Sequence, residues 1–346
     1  MPCIRGACEL TILLQTWFSV RASFTEVAEQ IMSVLRDLEW ERGDHVFHTP
    51  FRSYDAVLYI GSMMNIDVAR YYRYVWWSGR HIYYGVTEGP PQLSPFNLAA
   101  LHSMTVITPS NYVKWELERI GVKVADVIPH GVDVDAFRRI PRNNQWRRMF
   151  GDRTIVLYVA HRSIRKGFRH LCEAWRMSRA GRDHNVVLVL HTMREPNRLS
   201  GEDYVIPEEG NIIVTDNVLR LDRQSLMMLY RAADLYIHGA LAEGYGIPIA
   251  EAMAANVPVL TLGAPPMSEL NTVPEAHIRV VSQILHHDMC GNVFRLNIPS
   301  MDDYVEKIDW LVYDPKARRE IAEKQSEKLP EIGLNVYERF RRWLSC

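Results

Sequence analysis

Residues 242–260 read AEGYGIPIAEAMAANVPVL and follow the short β-rich run LYIH at 235–238. A strand ending at His238, a loop punctuated by Gly244 and Gly246, and a helix opening at Pro248 form one βα unit. Proline suits a first helical residue because its missing N–H would have had no intrahelical partner, and the two glycines permit tight backbone geometry and close approach of a ligand. The amides of Tyr245, Gly246 and Ile247, at the positive end of a helix dipole, make a cradle for a diphosphate.

Two carboxylates frame this cradle, Glu243 before it and Glu251 within the helix. Acids beside phosphates repel them, so both are read as acceptors of hydrogen bonds from neutral hydroxyls: Glu251 from a ribose, Glu243 from a sugar. A second cluster, Arg162, Arg165 and Lys166 followed by Gly167, comes directly after an expected strand at Thr154 to Ala160. Ligands of open parallel sheets bind outside the carboxyl ends of the strands, where these cations would neutralise a diphosphate.

Outward from this unit, short apolar runs alternate with amphipathic stretches, the signature of βαβ units and a parallel sheet. The pattern occurs twice. The first set of strands is expected at Glu9 to Gln15, Ala56 to Ile60, His81 to Val86, Thr105 to Thr108 and Asp126 to Ile128. The second is expected at Thr154 to Ala160, Val186 to His191, Ile212 to Thr215, Leu235 to His238 and Val257 to Leu262, with short elements near Gly291 to Leu296 and helices from Met301 onward. Between the sets, PRNNQWRRMFGD at 141–152 is polar and aperiodic, and reads as a hinge.

The bulk properties agree with an ordinary two-domain globular chain: 346 residues, 47% hydrophobic and 23% charged. Forty Lys and Arg against forty-one Asp and Glu leave a net charge of -1, so no global field for nucleic acid exists, and an anion must be held by a local cluster. The five cysteines, at 3, 8, 172, 290 and 346, show no Cys-x-x-Cys spacing and read as reduced thiols of a cytoplasmic protein. The N-terminal apolar run in MPCIRGACELTILLQTWF is too brief for a membrane span and reads as a first buried strand.

Residues from about 105 to 262 resemble the retaining glycosyltransferases of family 4. The likeness rests on TPSNYVKWELERIGVKVADVIPHGVDVDAF at 108–137, YVAHRSIRKG at 158–167, and YRAAD at 230–234 followed by EGYGIP and Glu251. The resemblance implies an α/β GT-B fold, two Rossmann-like doubly wound parallel-sheet domains facing a central cleft. An acceptor-side domain would span 1–142 and a donor-binding domain 149–328, with a C-terminal helix at 329–346 crossing back to the first. It further implies a hexosyltransferase-type enzyme that moves a sugar from a nucleotide-diphosphate sugar to an acceptor hydroxyl with the anomeric configuration kept, using neither metal nor cofactor. Carried over by position, Arg162 and Lys166 hold the diphosphate, with Arg165 beside them. Glu243 contacts the donor sugar and Glu251 the ribose, and Gly244, Tyr245, Gly246 and Ile247 supply backbone contacts.

The chain departs from the family pattern in three places. The loop from Thr16 to Ser23 offers Ser19, Arg21 and Ser23 in place of paired glycines. After the third strand, Val86-Thr87-Glu88-Gly89 stands where many relatives carry a catalytic histidine, which makes Glu88 the candidate base for the acceptor hydroxyl. His191 to Arg194, HTMR, replaces the usual glycines after the second strand of the donor domain. Two look-alikes suggest a metal. Asp133-Val134-Asp135 imitates an Asp-x-Asp motif but sits in a structural segment, and His286, His287 and Asp288 read as a solvated loop.

Expected partners are the nucleotide-sugar donor and a glycan, lipid-linked or protein acceptor, with no nucleic acid. A lipid-linked acceptor would bring RYYRYVWW at 70–77, or the basic tail at Arg339, Arg341 and Arg342, into peripheral membrane contact. Burial of a helix face against the sheet is the commoner explanation for the aromatics of the former. Two other functions use the same architecture: a sugar-nucleotide epimerase, and a non-catalytic module that binds a nucleotide sugar or glycan.

Overall fold

The computed structural model describes residues 10–16, 23–44, 52–192, 211–215, 221–288 and 292–345. Ser19, Arg21, residues 193 and 194 of the HTMR segment and the cysteines at 3, 8, 290 and 346 lie outside these ranges. The chain divides into two compact units, Met1–Gly131 with Leu334–Cys346, and Val132–Gly333.

In the first unit, strands β1 (Thr11–Thr16), β2 (Glu39–Asp44), β3 (Ala56–Ser62), β4 (His81–Val86), β5 (Thr105–Thr108) and β6 (Val124–Val127) form a parallel sheet in the order β2-β1-β3-β4-β5-β6. The central strands β3 and β4 are largely apolar and buried on both faces, as a sheet covered by helices requires. The edge strand β2, EWERGD, is one that periodicity does not reveal. Its carboxylates meet water and Arg52, which bonds Glu41 at 3.0 Å and Glu39 at 2.9 Å.

RYYRYVWW contains the short helix Tyr71–Tyr74, which follows the helix Asn65–Val68. Arg70 is buried, donating to the carbonyls of Asp67 and Ile60, and Tyr74 enters the core, whereas Trp76 is 89% exposed. The C-terminal segment packs on this unit: the Tyr337 hydroxyl accepts the Gly131 amide at 2.8 Å, and Arg80 donates to the Leu344 carbonyl at 2.7 Å. The tail arginines are held by acids of the same unit. Arg341 grips Asp37 bidentately at 2.7 Å, and Arg339 pairs with Asp126.

The second unit repeats the plan. Strands β7 (Thr154–Val159), β8 (Val186–His191), β9 (Ile212–Thr215), β10 (Leu235–His238), β11 (Val259–Leu262) and β12 (His277–Ile278) pair in parallel in the order β12-β11-β10-β7-β8-β9. The two-residue β12 carries too little pattern to be read locally. Residues 141–152, expected as a hinge, instead contain the helix Gln145–Phe150. Asn144 caps it, and Trp146 and Phe150 are buried in the core of this unit.

An antiparallel hairpin, β13 (Val280–His287) and β14 (Val293–Pro299), follows the sheet. His286 and His287 therefore lie on a strand and not in a solvated loop. Helices Met301–Tyr313 and Pro315–Ser326 complete the unit, the former packing on the helix Phe168–Met177. Among the described residues no helix is long and apolar enough to cross a membrane.

Candidate active site

β7 and β10 are neighbours in the sheet, yet the chain leaves them in opposite directions, to β8 on one side and β11 on the other. Such a switch point opens a crevice at the carboxyl ends of the two strands. Both sequence clusters sit there, one after each strand.

The backbone holds them together. After β7 the chain makes a 3-10 turn, Ile164–Lys166, closed by Gly167 in the left-handed region at φ 63°. The Arg165 carbonyl accepts the amides of Leu241 at 2.7 Å and Ala242 at 3.1 Å, so the turn is fastened to the loop after β10. Tyr158 donates its hydroxyl to the Lys166 carbonyl at 3.0 Å. From the hairpin, the Asn297 side chain and amide both donate to the Leu241 carbonyl, at 3.0 and 2.8 Å. Phe294 of β14 lies beneath the Arg165 guanidinium, 5.8 Å from ring centre to Cζ.

This fastening delivers Lys166 to Glu243. Its Nζ donates to Glu243 Oε1, which also accepts from His238 Nε2 at 3.1 Å, while Arg165 Nη1 stands 3.8 Å from Oε2. Glu243 is buried. Burial alone pushes its carboxyl pKa up, but Lys166, the His238 hydrogen bond and Arg165 together outweigh it and hold the group well below the usual carboxylate range. Glu243 is therefore ionised, with its charge matched by cations from the other strand.

The helix carrying the second carboxylate spans Ile247–Ala254, so it opens one residue before Pro248. Gly246 is its N-cap at φ 102°, a conformation that leaves this position to glycine. Glu251 is buried on this helix and pairs with Arg223, whose guanidinium lies over the Phe137 ring at 5.5 Å. Gly244 and Tyr245 are buried in the loop between the two carboxylates.

Sequence reasoning thus identified Lys166, Arg165 and Glu243, and the structure brings them to one carboxylate. It missed His238 and Arg223. His238 was legible as the last residue of a strand on the same face as Tyr236, whereas nothing local announces that Arg223 would meet Glu251. Arg162 opens the same turn as Arg165 and Lys166, its guanidinium over the Phe168 ring at 5.9 Å. Glu88 belongs to the first unit, half-buried in the turn after β4, where Thr87 bonds the Gly89 carbonyl at 2.6 Å.

Asp133 is the N-cap of the helix Val134–Arg139, its side chain accepting the Ala136 amide at 2.8 Å, which gives this half of the Asp-x-Asp look-alike a structural task. Among the described residues no group of three or more His, Cys, Asp or Glu side chains is placed to hold a metal.

Residues 141–328 match the family described as glycosyl transferases group 1, more than half of the chain, and the protein belongs to that family. Its structure is similar over nearly its whole length to GT-B glycosyltransferases. HepE of Anabaena, in complex with UDP and glucose, superposes with a TM-score of 0.74 at 15% identity, covering 97% of this chain and 100% of that one. Sucrose-phosphate synthase of Thermosynechococcus elongatus gives 0.71 at 15% identity, covering 96% and 98%. The fold is GT-B. In sequence, the chain is 31% identical over 144 residues to the MMP alpha-(1->4)-mannosyltransferase of Mycolicibacterium hassiacum, a match covering 42% of this chain and 32% of that protein's length.

Proposed function

We propose that this chain is a retaining, family 4 glycosyltransferase that moves a hexosyl group from a nucleotide-diphosphate sugar to an acceptor hydroxyl without a metal ion. One observation carries the reading: Lys166 and Arg165 from the turn after β7 converge on Glu243, beside the Gly246 helix entrance, at the switch point of the sheet. Likeness to chains solved with UDP and glucose, or with UDP-glucose, supports a nucleotide-sugar donor.

In this reading the second unit binds the donor and the first the acceptor. The diphosphate lies against the Gly244 to Ile247 backbone, with Lys166, Arg165 and Arg162 as counter-charges. Negative charge grows on the leaving diphosphate as the glycosidic bond breaks, so fixed cations there lower the barrier. An ammonium donates up to three hydrogen bonds, and Lys166 therefore serves Glu243 and a phosphate oxygen together. Glu243 accepts from donor-sugar hydroxyls, Glu251 from the ribose, and Glu88 takes the acceptor proton. The acceptor is a glycan, a lipid-linked sugar or a protein side chain.

The test is thermal-shift screening of UDP-, GDP-, ADP- and TDP-sugars with and without EDTA, followed by transfer assays and NMR of the product's anomeric proton. A donor that stabilises the protein equally in both conditions and yields a product of unchanged anomeric configuration supports the proposal. Inversion, or stabilisation only with a divalent ion, overturns it.

A further inference from the structure

We propose that His238 is a positioning residue: fixed by the Tyr236 hydroxyl at Nδ1, it presents Nε2–H to Glu243 and aims that carboxylate. Its role in turnover rests on the donor-site reading above.

The contacts form a chain. Tyr236 and His238 lie on one face of β10, and the Tyr236 hydroxyl meets His238 Nδ1 at 3.1 Å. The Val159 carbonyl, at 3.5 Å, is at the outer limit of a hydrogen bond to the phenol, and the ionised Glu243 can only accept, so the ring's proton belongs on Nε2 and Nδ1 is left to accept the phenol's one proton. The proton goes to Nδ1. A neutral imidazole accepting at Nδ1 must carry its own proton on Nε2, and that nitrogen lies 3.1 Å from Glu243 Oε1.

The balance around the ring favours the neutral form. His238 is 1% exposed, and burial pushes its pKa down, with Lys166 and Arg165 pressing the same way and Glu243 opposing them. Burial keeps the Tyr236 phenol protonated, and likewise that of Tyr158 on β7.

The arrangement divides two tasks. Lys166 supplies charge, but an ammonium on a four-carbon stem imposes little direction. His238 supplies direction: its ring is held by the strand and by Tyr236, so its N–H fixes where Oε1 points and hence where Oε2 stands for a sugar hydroxyl. Glu243 needs such a clamp because it sits in a loop and not on the strand or the helix.

Two measurements on the full-length protein test this. In ¹⁵N-resolved imidazole spectra, His238 should show the Nε2–H tautomer, and Tyr236→Phe should release it into a mixture. In transfer assays with the panel donor that the wild type uses, His238→Leu should lower kcat about ten- to a hundredfold, while the Kd for UDP or GDP alone stays within about twofold. His238→Gln, whose amide N–H reaches the position of Nε2, should recover most of the loss. An Nδ1–H tautomer in the wild type, or equal activity of the Leu and Gln variants when both melt like the wild type, overturns the proposal. A wild type inactive with every panel donor sinks the donor reading instead, and the tautomer measurement then decides the positioning by itself.

Discussion

A Cβ on Gly167 would stand 1.9 Å from the carbonyl oxygen of Gly239, so the turn bearing Arg165 and Lys166 lies backbone against backbone on the end of β10. Gly167 is also left-handed, at φ 63°. Gly167→Ala should therefore cost about 2 kcal/mol or more and displace Lys166 from Glu243. Urea unfolding of the variant, with donor binding measured on the folded fraction, checks both effects.

Removing the ammonium should injure stability and turnover together. In Lys166→Met the buried Glu243 loses its ammonium partner while keeping His238 and Arg165, and losing one partner of a buried pair costs about 3 kcal/mol. The carboxyl pKa is depressed in the folded protein, so its stabilisation is present above the unfolded carboxyl range and lost as the pH falls below it. The variant should show less of that acid-side loss than the wild type, and its turnover should fall about a hundredfold or more. Turnover near that of the wild type would remove Lys166 from the proposed mechanism.

Glu251 is assigned the ribose hydroxyls. Glu251→Ala should weaken UDP or GDP binding about tenfold and erase any preference for these nucleotides over their 2′,3′-dideoxy forms. Calorimetric titration of both nucleotide types into both proteins reads this coupling directly.

The first unit has its own pH response. His130 is buried, its Nδ1 meets the Tyr84 hydroxyl at 2.9 Å, and burial pushes its pKa down to about 3. A depressed folded pKa leaves the unfolded chain as the better proton binder, so stability falls as the pH drops from the ordinary imidazole range toward 3. The slope is about 1.4 kcal/mol per pH unit for each such group. His130→Gln should lower the slope of stability against pH between 4 and 6 by roughly one proton, as measured by urea unfolding across that range.

Asp133 separates the structural role from the metal one. Asp133→Ala removes an N-cap and should cost about 1 kcal/mol, with the response of activity to EDTA unchanged. A variant that gains or loses sensitivity to the chelator would assign Asp133 to a metal after all.

Much of this architecture was legible because its strands are buried on both faces. A run such as VVLVLH at 186–191 has no other stable place, and glycines at 167 and 246 stand where the backbone turns left-handed. The edges were not legible. β2 is charged, since an edge strand gains little from burial and is safer with acids on it. His286 and His287 were read as loop because their antiparallel pairing with β14 leaves no periodic trace.

The amino-acid order by itself determined the two βα series, the cations after β7 and the carboxylates around the helix of residues 247–254. Each of these follows from interactions within a few neighbours: strand propensity, a glycine turn, a helix entrance. Only the tertiary structure decided which charges meet. Lys166 reaches Glu243 across 77 residues, and Arg223 reaches Glu251 across 28. The first pairing exists because β7 and β10 became neighbours in the sheet, the second because the helices Arg223–Ala232 and Ile247–Ala254 pack together, and both are set by packing of the whole unit.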